Sequence, residues 1–144
     1  GLPRGAPRRR VASRVVILVD TDVLIALLRG ERIARDWLLA TRRGGQVLTS
    51  VVTVTELTGG MRSSERREVW DLIAALHPVP VTELIARRAG ELMREFRRSH
   101  SGIGIADYLI AATAELQGAR LATLNVRNFP MFPGLEPPFA LSQR

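Results

Sequence analysis

The chain has 144 residues, with 21 basic residues that are all Arg, 14 acidic residues, two His and no Cys; the net charge is +7 and 46% of residues are hydrophobic. That length and apolar content support one domain with a real core and exclude a wholly disordered chain. The missing Cys excludes disulfide scaffolds, thiolate zinc sites and Cys nucleophiles, and the missing Lys disfavours chemistry that needs a catalytic amine.

Residues 1–14 hold Arg4, Arg8, Arg9, Arg10 and Arg14 and no acid. They read as a flexible basic arm able to touch nucleic acid, or as a linker remnant, ahead of a single domain at 15–144. Val15–Val19 is a short, mostly β-branched apolar run, as expected of a strand buried on both faces. Asp20 and Asp22 interrupt it. Helix spacing then runs from about Asp22, the expected N-cap, to Arg29, and Gly30 stops it.

Glu31–Arg43 predicts an amphipathic helix with Ile33, Trp37, Leu38 and Ala40 on one side, ended by Gly44-Gly45. Gln46–Thr49 predicts a second strand. Ser50 is a good N-cap for a helix over Val51–Leu57, which Gly59-Gly60 terminates, despite the β-branched content. Ser64–Leu76 predicts a helix with Val69, Trp70, Leu72, Ile73 and Leu76 inward. Pro78–Val81 fits only an edge strand or extended link.

Thr82 caps a helix through Arg98, its apolar side including Leu84, Ile85, Ala89, Leu92, Met93 and Phe96. Gly104–Gln117 is a further helix, with Ile105, Leu109, Ile110 and Leu116 among its apolar residues. Ala119–Leu124 is a strand, Asn125–Phe129 a turn, and Phe139–Leu141 a short final strand. Strands alternating with helices predict an α/β fold with a mostly parallel sheet between helical layers. No run of ~20 apolar residues is present and no cleavable signal pattern opens the chain, so the expected location is the cytoplasm, with no membrane partner.

Chemistry-bearing side chains recur where strands end. Asp20 and Asp22 follow the first strand, Glu56 lies one or two turns into the helix after the second, and Asn125 and Asn128 follow the Leu121–Leu124 strand. Asp107 lies in the first turn of the helix from Gly104. Parallel strands share one carboxyl edge, where Asp20, Glu56 and Asn125 would converge. Asp107 joins them if its helix starts there. Clustered carboxylates repel unless a cation intervenes. Oxygen ligands without Cys suit Mg²⁺ or Mn²⁺ rather than zinc, and such ions serve phosphodiester hydrolysis. His77 and His100 read as structural or exposed, and Trp37 and Trp70 as core or interface anchors.

Four segments in order, Leu18–Leu24, Thr49–Leu57, Ala106–Ala114 and Ala122–Phe129, resemble the PIN-domain family and look most like the VapC toxins of bacterial toxin–antitoxin modules. The resemblance implies a three-layer α/β/α fold and a Mg²⁺-dependent endoribonuclease. It also implies a cognate VapB-like antitoxin, an RNA substrate, and a homodimer that joins the antitoxin in a heterotetramer or larger. By position, Asp20, Glu56 and Asp107 match the family's metal-binding acids. Asn125 and Asn128 stand where the family often has a further Asp. Thr21 and Thr123 match small hydroxyl positions that fix carboxylates or water. Arg62 is a candidate for phosphate or an antitoxin carboxylate. Two alternatives stand beside this reading. Asp20-Thr21-Asp22-Val23-Leu24 also resembles the nucleophile motif of haloacid-dehalogenase-like phosphatases, which normally use a Lys. A PIN fold that grips RNA or antitoxin but cleaves weakly is the other.

Overall fold

The apolar run after the basic arm forms strand β1, Val15–Val19. Each later strand is short and is reached through helices. The computed structural model describes residues 15–141, so the basic arm expected at 1–14 lies outside the described residues. Helices α1 (Thr21–Leu28) and α2 (Arg32–Gly44) lead to β2 (Gly45–Ser50). Helix α3 (Val51–Gly60), a 3-10 turn at Ser63–Glu65 and α4 (Arg66–Leu76) lead to β3 (Pro78–Val79). Helices α5 (Glu83–Phe96) and α6 (Ile105–Leu116) lead to β4 (Arg120–Ala122).

The strand order is β3-β2-β1-β4, and every neighbouring pair is parallel. Parallel neighbours require crossovers, which the helix pairs supply. Central β1 places Ile17 opposite Val47 on one side and Arg120 on the other. Leu18, Leu48 and Leu121 pack with Ile85, Ala89 and Leu92 of α5 and with α6. Val19 and Val47 pack on the other face with Val23, Leu38 and Ile73. Both faces are therefore covered, giving the expected three-layer α/β/α architecture around a parallel sheet.

Several expectations need correcting. Helix α1 begins at Thr21 and its N-cap is Asp20, not Asp22. Gly59 and Gly60 form the last turn of α3 rather than following it. Trp70 is 46% exposed, because α4 buries Val69, Ile73 and Leu76 and Trp70 lies about a quarter-turn off that stripe. Leu84, Ile105 and Leu116 are exposed as well, as are Ile33 and Ala40 on α2. Phe139–Leu141 forms no strand; Phe139 is instead buried against Trp37, ring centroids 6.0 Å apart. Among the described residues no helix is long and apolar enough to cross a membrane.

Candidate active site

Asp20 closes β1. Its backbone N–H donates to the Ala122 carbonyl at 2.9 Å, extending the parallel ladder by one step. Its side chain then starts α1: Oδ1 accepts the Thr21 N–H at 2.8 Å, satisfying a donor that a helix start leaves open. Oδ2 accepts the Thr123 hydroxyl at 2.8 Å from the end of β4. The carboxylate is thus fixed by two strands and one helix, and Asp20 is only 6% exposed. Burial pushes its pKa up from 3.8 to about 7. The Asp22 charge pushes the same way, as does that of Asp107, while the bonds from Thr123 and Thr21 oppose the rise.

Asp22 is half-buried and reaches across the sheet edge, accepting the Leu124 N–H at 3.1 and 3.2 Å on its two oxygens. The Thr123 hydroxyl stands 3.4 Å from its Oδ2. Burial raises its pKa, against the bonds from Leu124 and neighbouring groups. Asp22 therefore stands beside Asp20 and ties α1 to the chain after β4, a placement that the capping expectation missed. The signal for it was the spacing of two acids across a strand end.

Glu56 arrives on α3, which Ser50 caps by accepting the Val52 N–H at 3.0 Å. The Thr21 hydroxyl donates to Glu56 Oε1 at 2.7 Å and lies 3.0 Å from the fully buried Thr53 hydroxyl. Thr53 was not expected here. It occupies the α3 position three before Glu56, on the same helical face. Asp107 arrives on the first turn of α6, where its Oδ2 accepts the Gly104 N–H at 3.1 Å. The same oxygen accepts an N–H from the Asn128 side chain at 3.1 Å. The Asn125 side chain is exposed, and its backbone N–H donates to Thr123 Oγ1 at 3.0 Å.

Arg62 is exposed, with its N–H bonded to Glu65 Oε1 at 3.0 Å. Arg62, Arg29, Glu56, Leu57, Met61 and Val69 help line a cavity of about 420 Å³. His77 ends α4 in a left-handed conformation (φ 48°) and is exposed. His100 is exposed, edge-on to Phe96, with its Nδ1 2.8 Å from the Ser99 hydroxyl.

The order and spacing of these acid-bearing segments match a known family. The PIN-domain family model covers residues 17–132. The chain belongs to the PIN-domain family. It is 61% identical over 126 residues to Ribonuclease VapC10 of Mycobacterium tuberculosis, spanning 88% of this chain and 95% of that relative. It is 44% identical over 123 residues to Ribonuclease VapC19 of the same organism, spanning 85% and 98%. Among solved structures it is similar to a toxin–antitoxin complex from Klebsiella pneumoniae, with TM-score 0.73 and 27% identity over 87% of this chain and 99% of that one. Membership of the PIN-domain family sets aside the haloacid-dehalogenase-like alternative.

Whether this PIN domain suits a cation turns on its donors. Among the described residues, no three acids or His stand grouped closely enough to hold one ion between them. Glu56 is turned onto Thr21, and Asp107 onto Asn128 and the start of α6. These partners are neutral donors, and each bonds one oxygen of its carboxylate, leaving the other able to take a cation. The donors are all oxygens, and the buried Asp20 carboxylate lacks any neutralising basic partner among its described contacts. That chemistry fits a hard divalent ion.

Proposed function

We propose that this PIN domain is a Mg²⁺-dependent endoribonuclease, able to use Mn²⁺, and the toxin of a toxin–antitoxin module. Its partners on this reading are RNA and a VapB-like antitoxin, with a homodimer joining the antitoxin in a heterotetramer or larger. The observation that carries it is the buried Asp20 carboxylate at the shared strand edge, held by Thr21 and Thr123 against the repulsion of the Asp22 charge. The ribonuclease names of the two mycobacterial relatives support the reaction class, and the Klebsiella complex supports a protein antidote.

Asp20, Glu56 and Asp107 would hold the ion. When bound, the ion activates water for attack on a phosphodiester and offsets charge on the departing oxygen. The chain's own groups set the geometry. Thr123 and the Thr21 N–H orient both oxygens of Asp20. The Thr21 hydroxyl aims Glu56, and the Asn128 amide steadies Asp107. The Asn128 amide orients Asp107 without adding charge, and the exposed Asn125 side chain adds none either. Those amides favour one further reading, a PIN fold that binds RNA or antitoxin but cleaves weakly.

The test compares wild type with Asp20→Ala on structured RNA, with Mg²⁺, with Mn²⁺ and with EDTA. Metal-dependent cleavage by wild type alone is expected. Equal cleavage by both proteins sinks the assignment. A folded protein that binds RNA or antitoxin but is inactive with every metal favours the binding module.

A further inference from the structure

The Asp107 side of the site is bordered by two segments that carry Arg and no acid. The first, residues 96–106, holds Arg97, Arg98 and His100; the second, residues 123–135, holds Arg127. Both touch Asp107 directly. The first supplies the Gly104 N–H, and the second supplies the Asn128 amide from the residue after Arg127.

Their placement follows from helix packing. Arg88, early in α5, pairs with Glu115, late in α6, at 2.8 Å, so the two helices run antiparallel. The end of α5, with Arg97 and Arg98, therefore lies beside the start of α6, where Asp107 stands. Helices in contact lie about 8–10 Å apart, within the reach of an Arg side chain and a neighbouring phosphate. Arg97, Arg98 and Arg127 are exposed, and among the described residues none of them forms an ion pair. Arg87 and Arg88 of α5, in contrast, are paired to Glu side chains. Ile105, the first residue of α6, is 67% exposed on this lip, an apolar surface on which a nucleobase can pack.

We infer that this lip is the track that holds single-stranded RNA on one side of the cut bond. Arg97, Arg98 and Arg127 take backbone phosphates, and Ile105 packs under a base. This rests on the ribonuclease reading above. Phosphate contacts position a strand without reading its sequence, so the track sets affinity and register. These Arg are positioning residues and take no part in the chemistry.

The test measures binding of a ~12-nucleotide single-stranded RNA, a length suited to one small binding surface. It uses the Asp20→Asn protein, so that binding is read apart from cleavage. Arg97→Gln/Arg98→Gln/Arg127→Gln is compared with Arg35→Gln/Arg42→Gln/Arg43→Gln, which removes the same charge from α2. The lip triple is expected to weaken binding about 30-fold and to flatten the log–log salt slope by about 2, at roughly 0.7 for each phosphate no longer neutralised. The α2 triple should change affinity less than about threefold, the scale of a general charge effect. With Asp20 restored, the lip triple should raise KM and leave kcat nearly unchanged, as loss of uniform binding does. Equal losses from both triples, or tighter binding to duplex DNA than to RNA that the lip triple abolishes, overturn the track. If the parent protein binds RNA through the lip while wild type cuts no RNA with any metal, the ribonuclease reading fails and the lip stands as an RNA-binding surface without a cut bond beside it.

Discussion

Asp20→Asn isolates the energetic consequence of placing a carboxylate at the end of β1. In the folded chain the Asp20 pKa is raised, chiefly by burial, from 3.8 to about 7. The folded state therefore holds a proton that the unfolded state has already released. Stability from this group is fully present below about pH 4 and is lost as pH rises towards 7, after which it levels off. The gap between the two values corresponds to about 4 kcal/mol. Asn keeps much of the local bonding: its Oδ1 can accept the Thr21 N–H, and its amide can donate to Thr123 Oγ1. The Thr123 hydroxyl proton can then turn to Asp22 Oδ2, now 3.4 Å away. Allowing for imperfect replacement, metal-free Asp20→Asn should be more stable than wild type by about 2 kcal/mol at pH 8, or about 6 °C in Tm. About 3 of those 4 kcal/mol titrate between pH 4.5 and pH 8, so near pH 4.5 the order should reverse, with the variant melting about 3 °C below wild type. Thermal unfolding in EDTA between pH 4.5 and 8.5 measures both. Added Mg²⁺ should then raise the wild-type Tm at pH 8 more than that of the variant, because only wild type keeps the full ligand set. Parallel pH profiles for the two proteins would refute the reasoning.

Further expectations follow from single contacts. Thr123→Val removes a fully buried hydroxyl that donates to Asp20 and accepts the Asn125 N–H. It should cost about 2 kcal/mol in urea unfolding, and Asp20 should titrate still higher, since a bond that holds its pKa down is gone. Gly45→Ala should be strongly destabilising, by about 3 kcal/mol or more, because its methyl would overlap the Val15 carbonyl oxygen where β1 pairs with β2. Gly59→Ala has open space and helical backbone, and should stabilise by about 0.5–1 kcal/mol in the same assay. Leu92→Ala in the α5 core should cost about 3 kcal/mol, whereas Trp70→Ala on the exposed side of α4 should cost about 1 kcal/mol or less.

Much of the architecture was legible because local signals agree with the fold. A β-branched run ends in an acid, Ser50 and Thr82 cap their helices through observed bonds, and two Pro confine β3 to the sheet edge. The convergence of strand ends also followed from parallel alternation alone. What escaped depends on partners far away in the chain. Asp22 reads as a cap until the Leu124 N–H, 102 residues later, is seen to take its carboxylate. Thr53 joins the site only because α1 brings Thr21 beside it. Trp70 reads as inward and Leu84 as part of an apolar side, yet both are exposed, because apolar spacing defines a stripe but not its centre against the sheet.

The distribution of charge and amide at this edge runs against folding stability. A cap at position 20 needs only a side-chain oxygen, and Asn serves as well as Asp there. Burial makes the acid the costlier choice, with its pKa forced up to about 7. At position 125 the side chain is exposed, so an acid there would cost little, yet the residue is an amide. Packing and capping alone favour the reverse: an amide in the buried position and free choice at the exposed one. The negative charge at Asp20 therefore has no account in the fold itself, and the proposed cation supplies one. The amide at 128 has a local account, since it donates to Asp107, which a carboxylate could not do. An Asp at 128 would set two like charges about 3 Å apart, whereas Asn leaves the Asp107 oxygens positioned and able to accept.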